Sequence, residues 1–82
     1  MAQQFNQQNI KIRTSVLVFI KGSSAPLVLY LDNPQEFYSE LNQVMKSPTV
    51  TFIEKELSGP IKKVCFASNQ ISAIAMQEEQ YV

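Results

Sequence analysis

Asp32-Asn33-Pro34-Gln35-Glu36-Phe37-Tyr38-Ser39-Glu40-Leu41-Asn42-Gln43-Val44-Met45-Lys46-Ser47-Pro48 reads as a single helix with both ends marked. The Asn33 side chain can accept a hydrogen bond from a first-turn N–H. Pro34 suits the first helical position because its missing donor is not needed there, and Glu36 completes a capping-box-like spacing. Phe37, Leu41, Val44 and Met45 recur at helical spacing on one face with Tyr38 beside them, while Glu36, Glu40, Asn42, Gln43 and Lys46 fill the remainder. Ser47-Pro48 ends the run, because proline cannot donate and biases the residue before it away from helix. The segment predicts a helix of about three and a half turns with one face to pack on a sheet.

On the N-terminal side of that helix the period changes to two. Ile10, Ile12, Val16, Val18 and Ile20 fall on one face, with Thr14 interrupting mildly, which predicts a strand. Its other face begins wet with Lys11, Arg13 and Ser15, then turns apolar at Leu17 and Phe19 before Lys21. Lys21-Gly22-Ser23-Ser24-Ala25-Pro26 has loop chemistry, and Leu27-Val28-Leu29-Tyr30-Leu31 resumes an apolar strand, so an antiparallel hairpin is expected. Residues 1–9 are mostly amides with one aromatic, Phe5, and read as a flexible Gln/Asn-rich tail.

On the C-terminal side, residues 49–57 are rich in β-branched and aromatic residues, with Val50 and Phe52 on one side and Thr51, Ile53 and Leu57 on the other. Ser58-Gly59-Pro60 is a turn, so residues 61–66 should return antiparallel. Ala67-Ser68-Asn69-Gln70 then interrupts the pattern. Residues 71–76 make a fifth strand or continue the fourth past a bend, and a turn followed by a fifth strand is the preferred reading. Residues 78–82 read as a polar, fraying tail.

The order ββαβββ predicts an α+β domain over residues 10–77: a mostly antiparallel sheet of four or five strands with one helix on one face. The alternative is a small bent β-barrel with the helix inserted between hairpins. With 82 residues, 45% hydrophobic and 17% charged, one modest core is the expectation. Seven Lys plus Arg balance seven Asp plus Glu, so the general attraction to phosphate that drives most nucleic-acid binding is missing. The balance is uneven along the chain, because every charge in residues 1–31 is basic and the surplus afterwards is acidic. No secretory signal, lipidation motif or apolar run of spanning length is present, so a cytoplasmic protein without membrane contact is expected.

The sequence is poor in chemistry. It contains no His, which removes the commonest general base and the commonest neutral metal ligand. Cys65 stands alone between Val64 and Phe66, where a buried core residue is a better reading than a nucleophile. Glu54 and Glu56 share a strand face, but a solvated face paired with Lys62 or Lys63 accounts for them without a cation. Lys21-Gly22-Ser23-Ser24 lacks the second glycine and the following helix of a phosphate loop. No catalytic residue, metal or cofactor is expected.

Two binding readings remain. One helix covers one face of a sheet, while Leu17 and Phe19 sit on the face opposite the Ile/Val stripe. A non-enzymatic protein-interaction or self-assembling module is therefore expected, its partner itself or another protein, with Leu17, Phe19, Ile53 and Leu57 as candidate contacts. The alternative is weak single-stranded nucleic-acid binding or regulation through Lys11, Arg13, Phe19 and Lys21 on one strand face, against which stand the absence of Trp and the single Arg. The order of elements alone names no function.

Overall fold

Alternation, helical spacing and turn chemistry fall where the elements form. The computed structural model describes residues 11–81. Along the chain these are β1 (Lys11–Ile20), β2 (Leu27–Tyr30), α1 (Pro34–Lys46), β3 (Phe52–Glu56), β4 (Lys63–Ala67), a 3₁₀ turn (Ser68–Gln70) and β5 (Ile71–Tyr81). The expected tail at residues 1–9, and Ile10 as the start of the first strand, lie outside the described residues. The fold is α+β in the order ββαβββ, with every ladder antiparallel.

The strands form neither one continuous sheet nor, among the described residues, a closed barrel. β2-β1-β5 make a three-stranded sheet and β3-β4 a separate two-stranded one. β1 is central: Val16 faces Leu29 and Met76 across its two ladders, and Val18 faces Leu27 and Ile74. Gly22 turns the chain after β1 with φ +81°, a conformation that L side chains rarely adopt. The two sheets meet through their ends. Ser58 donates from its backbone N–H (2.9 Å) and its hydroxyl (3.1 Å) to the Tyr30 carbonyl. At the open end of the β3-β4 hairpin, Thr51 and Ser68 continue its ladder with two bonds, N–H to Oγ at 2.9 Å and N–H to carbonyl at 2.7 Å, and the 3₁₀ turn then leads into β5.

α1 lies on β1 and β5. Its apolar face delivers Phe37 and Leu41 into a core with Val16, Val18, Leu29, Ile53, Leu57 and Ile71, and Val44 and Met45 pack at the margin. Each such large side chain contributes roughly 1.5–3 kcal/mol by leaving water. Pro34 opens the helix as expected, but the Asn33 side chain makes no cap bond. Instead the Asn33 carbonyl accepts from Phe37 N–H at 3.1 Å, so backbone and proline geometry start the helix.

Three expectations are corrected. Residues 78–81 are not a fraying tail: β1 runs past its last β2 partner, Ser15, and its outer residues pair with β5, Arg13 opposite Glu79 and Lys11 opposite Tyr81. A polar segment with a partner strand of opposite charge stays in the ladder. Cys65 is exposed rather than core, because Val64 and Phe66 take the inner side of β4 and leave it facing outward opposite Glu54. Strand four begins at Lys63 rather than Ile61, because the turn consumes residues through Lys62, whose carbonyl accepts from Leu57 N–H at 2.8 Å. No helix among the described residues is long and apolar enough to cross a membrane.

Candidate interaction surface

Because strand residues alternate, β1 sends Val16 and Val18 to the helix and turns Arg13, Ser15, Leu17 and Phe19 to the opposite face of the sheet. That outer face has two parts. Near the Arg13 end, Tyr30 on β2 reaches across β1 to Glu79 on β5, its hydroxyl donating to the carboxylate with oxygens at 3.0 and 3.1 Å. The Arg13 guanidinium lies over the Tyr30 ring, 3.8 Å from its centroid, and Gln77 Nε2 donates to Glu79 at 3.2 Å. Ser15, opposite both Tyr30 and Gln77, is fully buried beneath this clasp and its hydroxyl has no partner.

Toward the other end the face is apolar. Leu17 lies between Val28 and Ala75, and Phe19 opposite Ala73. Leu17, Phe19, Val28 and Ala75 are half-buried and Ala73 is exposed. α1 packs on the other side, against the face that holds Val16 and Val18. Antiparallel sheets commonly carry polar side chains on such a face; here Gln77 borders it beside Ala75, and the Ser72 hydroxyl is taken up by the Phe19 carbonyl at 3.0 Å.

No family model, curated protein or solved structure matches the chain. The residues themselves carry the functional reading.

Of the four candidate contacts, Leu17 and Phe19 lie together on this face. Ile53 and Leu57 do not: both are core side chains, 3% and 9% exposed, and are withdrawn as contacts. They belong to the inner side of the β3-β4 hairpin, whose outer side carries Phe52, Glu54, Glu56, Lys63 and Cys65. Lys11 and Arg13 share the outer sheet face with Phe19, but Lys21 does not extend it. The register shifts between Phe19 and Ile20, and Lys21 instead borders an open hollow of about 190 Å³ with Val44, Met45 and Ile71 on the helix side. The four candidate nucleic-acid residues are therefore not one cluster, and Arg13 is already stacked on Tyr30.

Among the described residues no three His, Cys, Asp or Glu side chains come together to hold a metal ion. Glu54 pairs with Lys63 at 3.5 Å and Glu40 with Lys55 at 3.3 Å, both at the surface. A second hollow, of about 350 Å³, opens beside Ile12, Arg13, Tyr30, Asp32 and Pro34. Two surface features escaped the sequence reading. Phe52 is 73% exposed, and its parity with Glu54 and Glu56 was the available signal. Met76 is 37% exposed on the helix-side face of β5, where parity with Ile74 gave no hint of exposure.

Proposed function

We propose that this domain is a non-enzymatic protein-interaction module, with a second copy of itself as its first partner, acting through the three-stranded sheet. One observation carries the reading: the half-buried Leu17, Phe19, Val28 and Ala75 form an apolar patch on the sheet face opposite α1, where no other described element packs as a layer. A contiguous apolar patch on a small domain marks a contact surface, and small domains gain stability by association. The exposed, unpaired Cys65 fits a reducing compartment, so a cytoplasmic setting belongs to the proposal.

Size exclusion with light scattering, read at 260 and 280 nm, tests it. The wild-type chain is expected as a nucleic-acid-free species heavier than 9.3 kDa. Leu17→Glu combined with Phe19→Glu should keep cooperative unfolding and weaken association by about tenfold or more, as burying charge at a contact requires. Loss of the fold would make both side chains core, and salt-releasable nucleic acid would transfer the surface to the other class of ligand. Either result overturns the proposal.

A further inference from the structure

Among the described residues β5 is an edge strand along its whole length: eleven residues, Ile71–Tyr81, bonded to β1 on one side and to no described strand on the other. Long edges are usually blunted by lysine, proline or a bulge. β5 contains neither Lys nor Pro; its two charges, Glu78 and Glu79, lie near its C-terminal end and its register shift at the other, opposite Phe19 and Ile20, which leaves residues 73–77 unguarded.

The phase of the ladder tells which backbone groups point outward. The Tyr30 carbonyl accepts from Ser58, on the side away from β1. In an antiparallel ladder a residue's N–H and C=O point the same way, and the direction alternates along the strand. Ser15, opposite Tyr30, therefore turns its groups toward β5, and Gln77, opposite Ser15, turns toward β1. The Phe19 carbonyl, bonded to the Ser72 hydroxyl, agrees with this phase. Ala73, Ala75, Gln77 and Glu79 thus bond inward, while Ile74, Met76, Glu78 and Gln80 present their N–H and C=O groups to the open edge.

We infer that two copies pair antiparallel along β5, about a twofold axis at Ala75, into one continuous six-stranded sheet. The inference rests on the self-association proposed above but sets the contact at the β5 edge in place of the Leu17/Phe19 face, which this pairing leaves unburied. Three features select this occupant and register. About Ala75, Ile74 of each copy faces Met76 of the other, which covers the exposed Met76 side chain. Glu78 falls opposite Ser72 and Glu79 opposite Ile71, so no acid faces an acid. Lys21, held on the β1 side of β5 next to its start by a 2.8 Å bond to the Gln70 carbonyl, lies across β5 from Glu78 of the other copy and gives that end of the seam a basic charge. The joined sheet sets the two Leu17/Phe19 faces side by side.

Two variants test the pairing without touching Leu17 or Phe19. Met76→Pro removes an outward N–H and leaves the β1–β5 ladder whole. It should remain folded by far-UV circular dichroism and fall to the mass of one chain at about 100 μM, where any micromolar association is dominant. Ala75→Cys in a Cys65→Ser background places two thiols across the axis at a non-hydrogen-bonded pair, close enough for a disulfide. It should crosslink under mild oxidation, whereas Ala73→Cys, opposite Gln77 of the other copy, should not. A wild-type monomer, a Met76→Pro dimer or equal crosslinking at positions 73 and 75 overturns the pairing. If only Leu17→Glu with Phe19→Glu dissociates the complex, the pairing is wrong while the proposed function stands. If that variant unfolds, the proposed function fails on its own account.

Discussion

Tyr30 ties several parts of the molecule together. Its carbonyl receives Ser58, its hydroxyl reaches Glu79, its ring underlies Arg13 and covers Ser15, and Gly59 packs against it. A Cβ built on Gly59 would stand 3.0 Å or less from three Tyr30 carbons. No substituent fits without moving the ring or the turn, so this glycine is required by close approach. Gly59→Ala is expected to lose roughly 1–3 kcal/mol, the usual cost of overpacking, measured by urea denaturation. In a Tyr30→Ala background most of that loss should vanish, because the two residues touch. The sequence marked Gly59 as a turn residue only. Its partner lies 29 positions away, and no local pattern connects them.

Among the elements, α1 was the most legible, because its limits are set by Pro34 and Pro48 and its buried face by spacing alone. The cap was legible in place but not in chemistry, since whether an Asn side chain bonds depends on the backbone angle at which the chain arrives. With no side-chain bond at Asn33, Asn33→Ala should cost under about 0.5 kcal/mol, below the ~1 kcal/mol typical of a cap. Leu41→Ala should cost ~2–5 kcal/mol, because its side chain is fully buried. Thermal and urea unfolding of both variants check the contrast. The end of β5 was misread because composition reports whether a segment can bury itself, not whether a strand waits for it. Cys65 was misplaced for a related reason: small size and apolar neighbours suggested a core site, whereas the period of two, already applied to β1, assigns Cys65 to the side opposite Val64 and Phe66. The same rule makes Leu17 and Phe19 visible as a second face but leaves Ile53 and Leu57 undecided until the hairpin's inner side is known.

For the whole molecule, the uneven lengths of the strands govern behaviour. β2 pairs only with residues 15–18, so residues 11–14 and 78–81 form a two-stranded ribbon outside the three-stranded part, with Ile12 59% exposed on it. Amide hydrogen exchange should be fastest in that ribbon and slowest at Val16, Val18 and the residues facing them, because local opening there breaks few buried contacts. Equal protection along β1 would contradict this. The hydrogen bonds from Ser58 to the Tyr30 carbonyl have a further effect once two sheets are joined. They occupy a polar group on the far side of β2, and the 58–60 turn lies against the same residue. If β5 meets β5, the strand left at each outer border is the four-residue β2, whose Tyr30 carbonyl is already taken by its own chain. Further strand addition to this sheet would then meet a short, partly occupied edge, which favours two copies over a fibre.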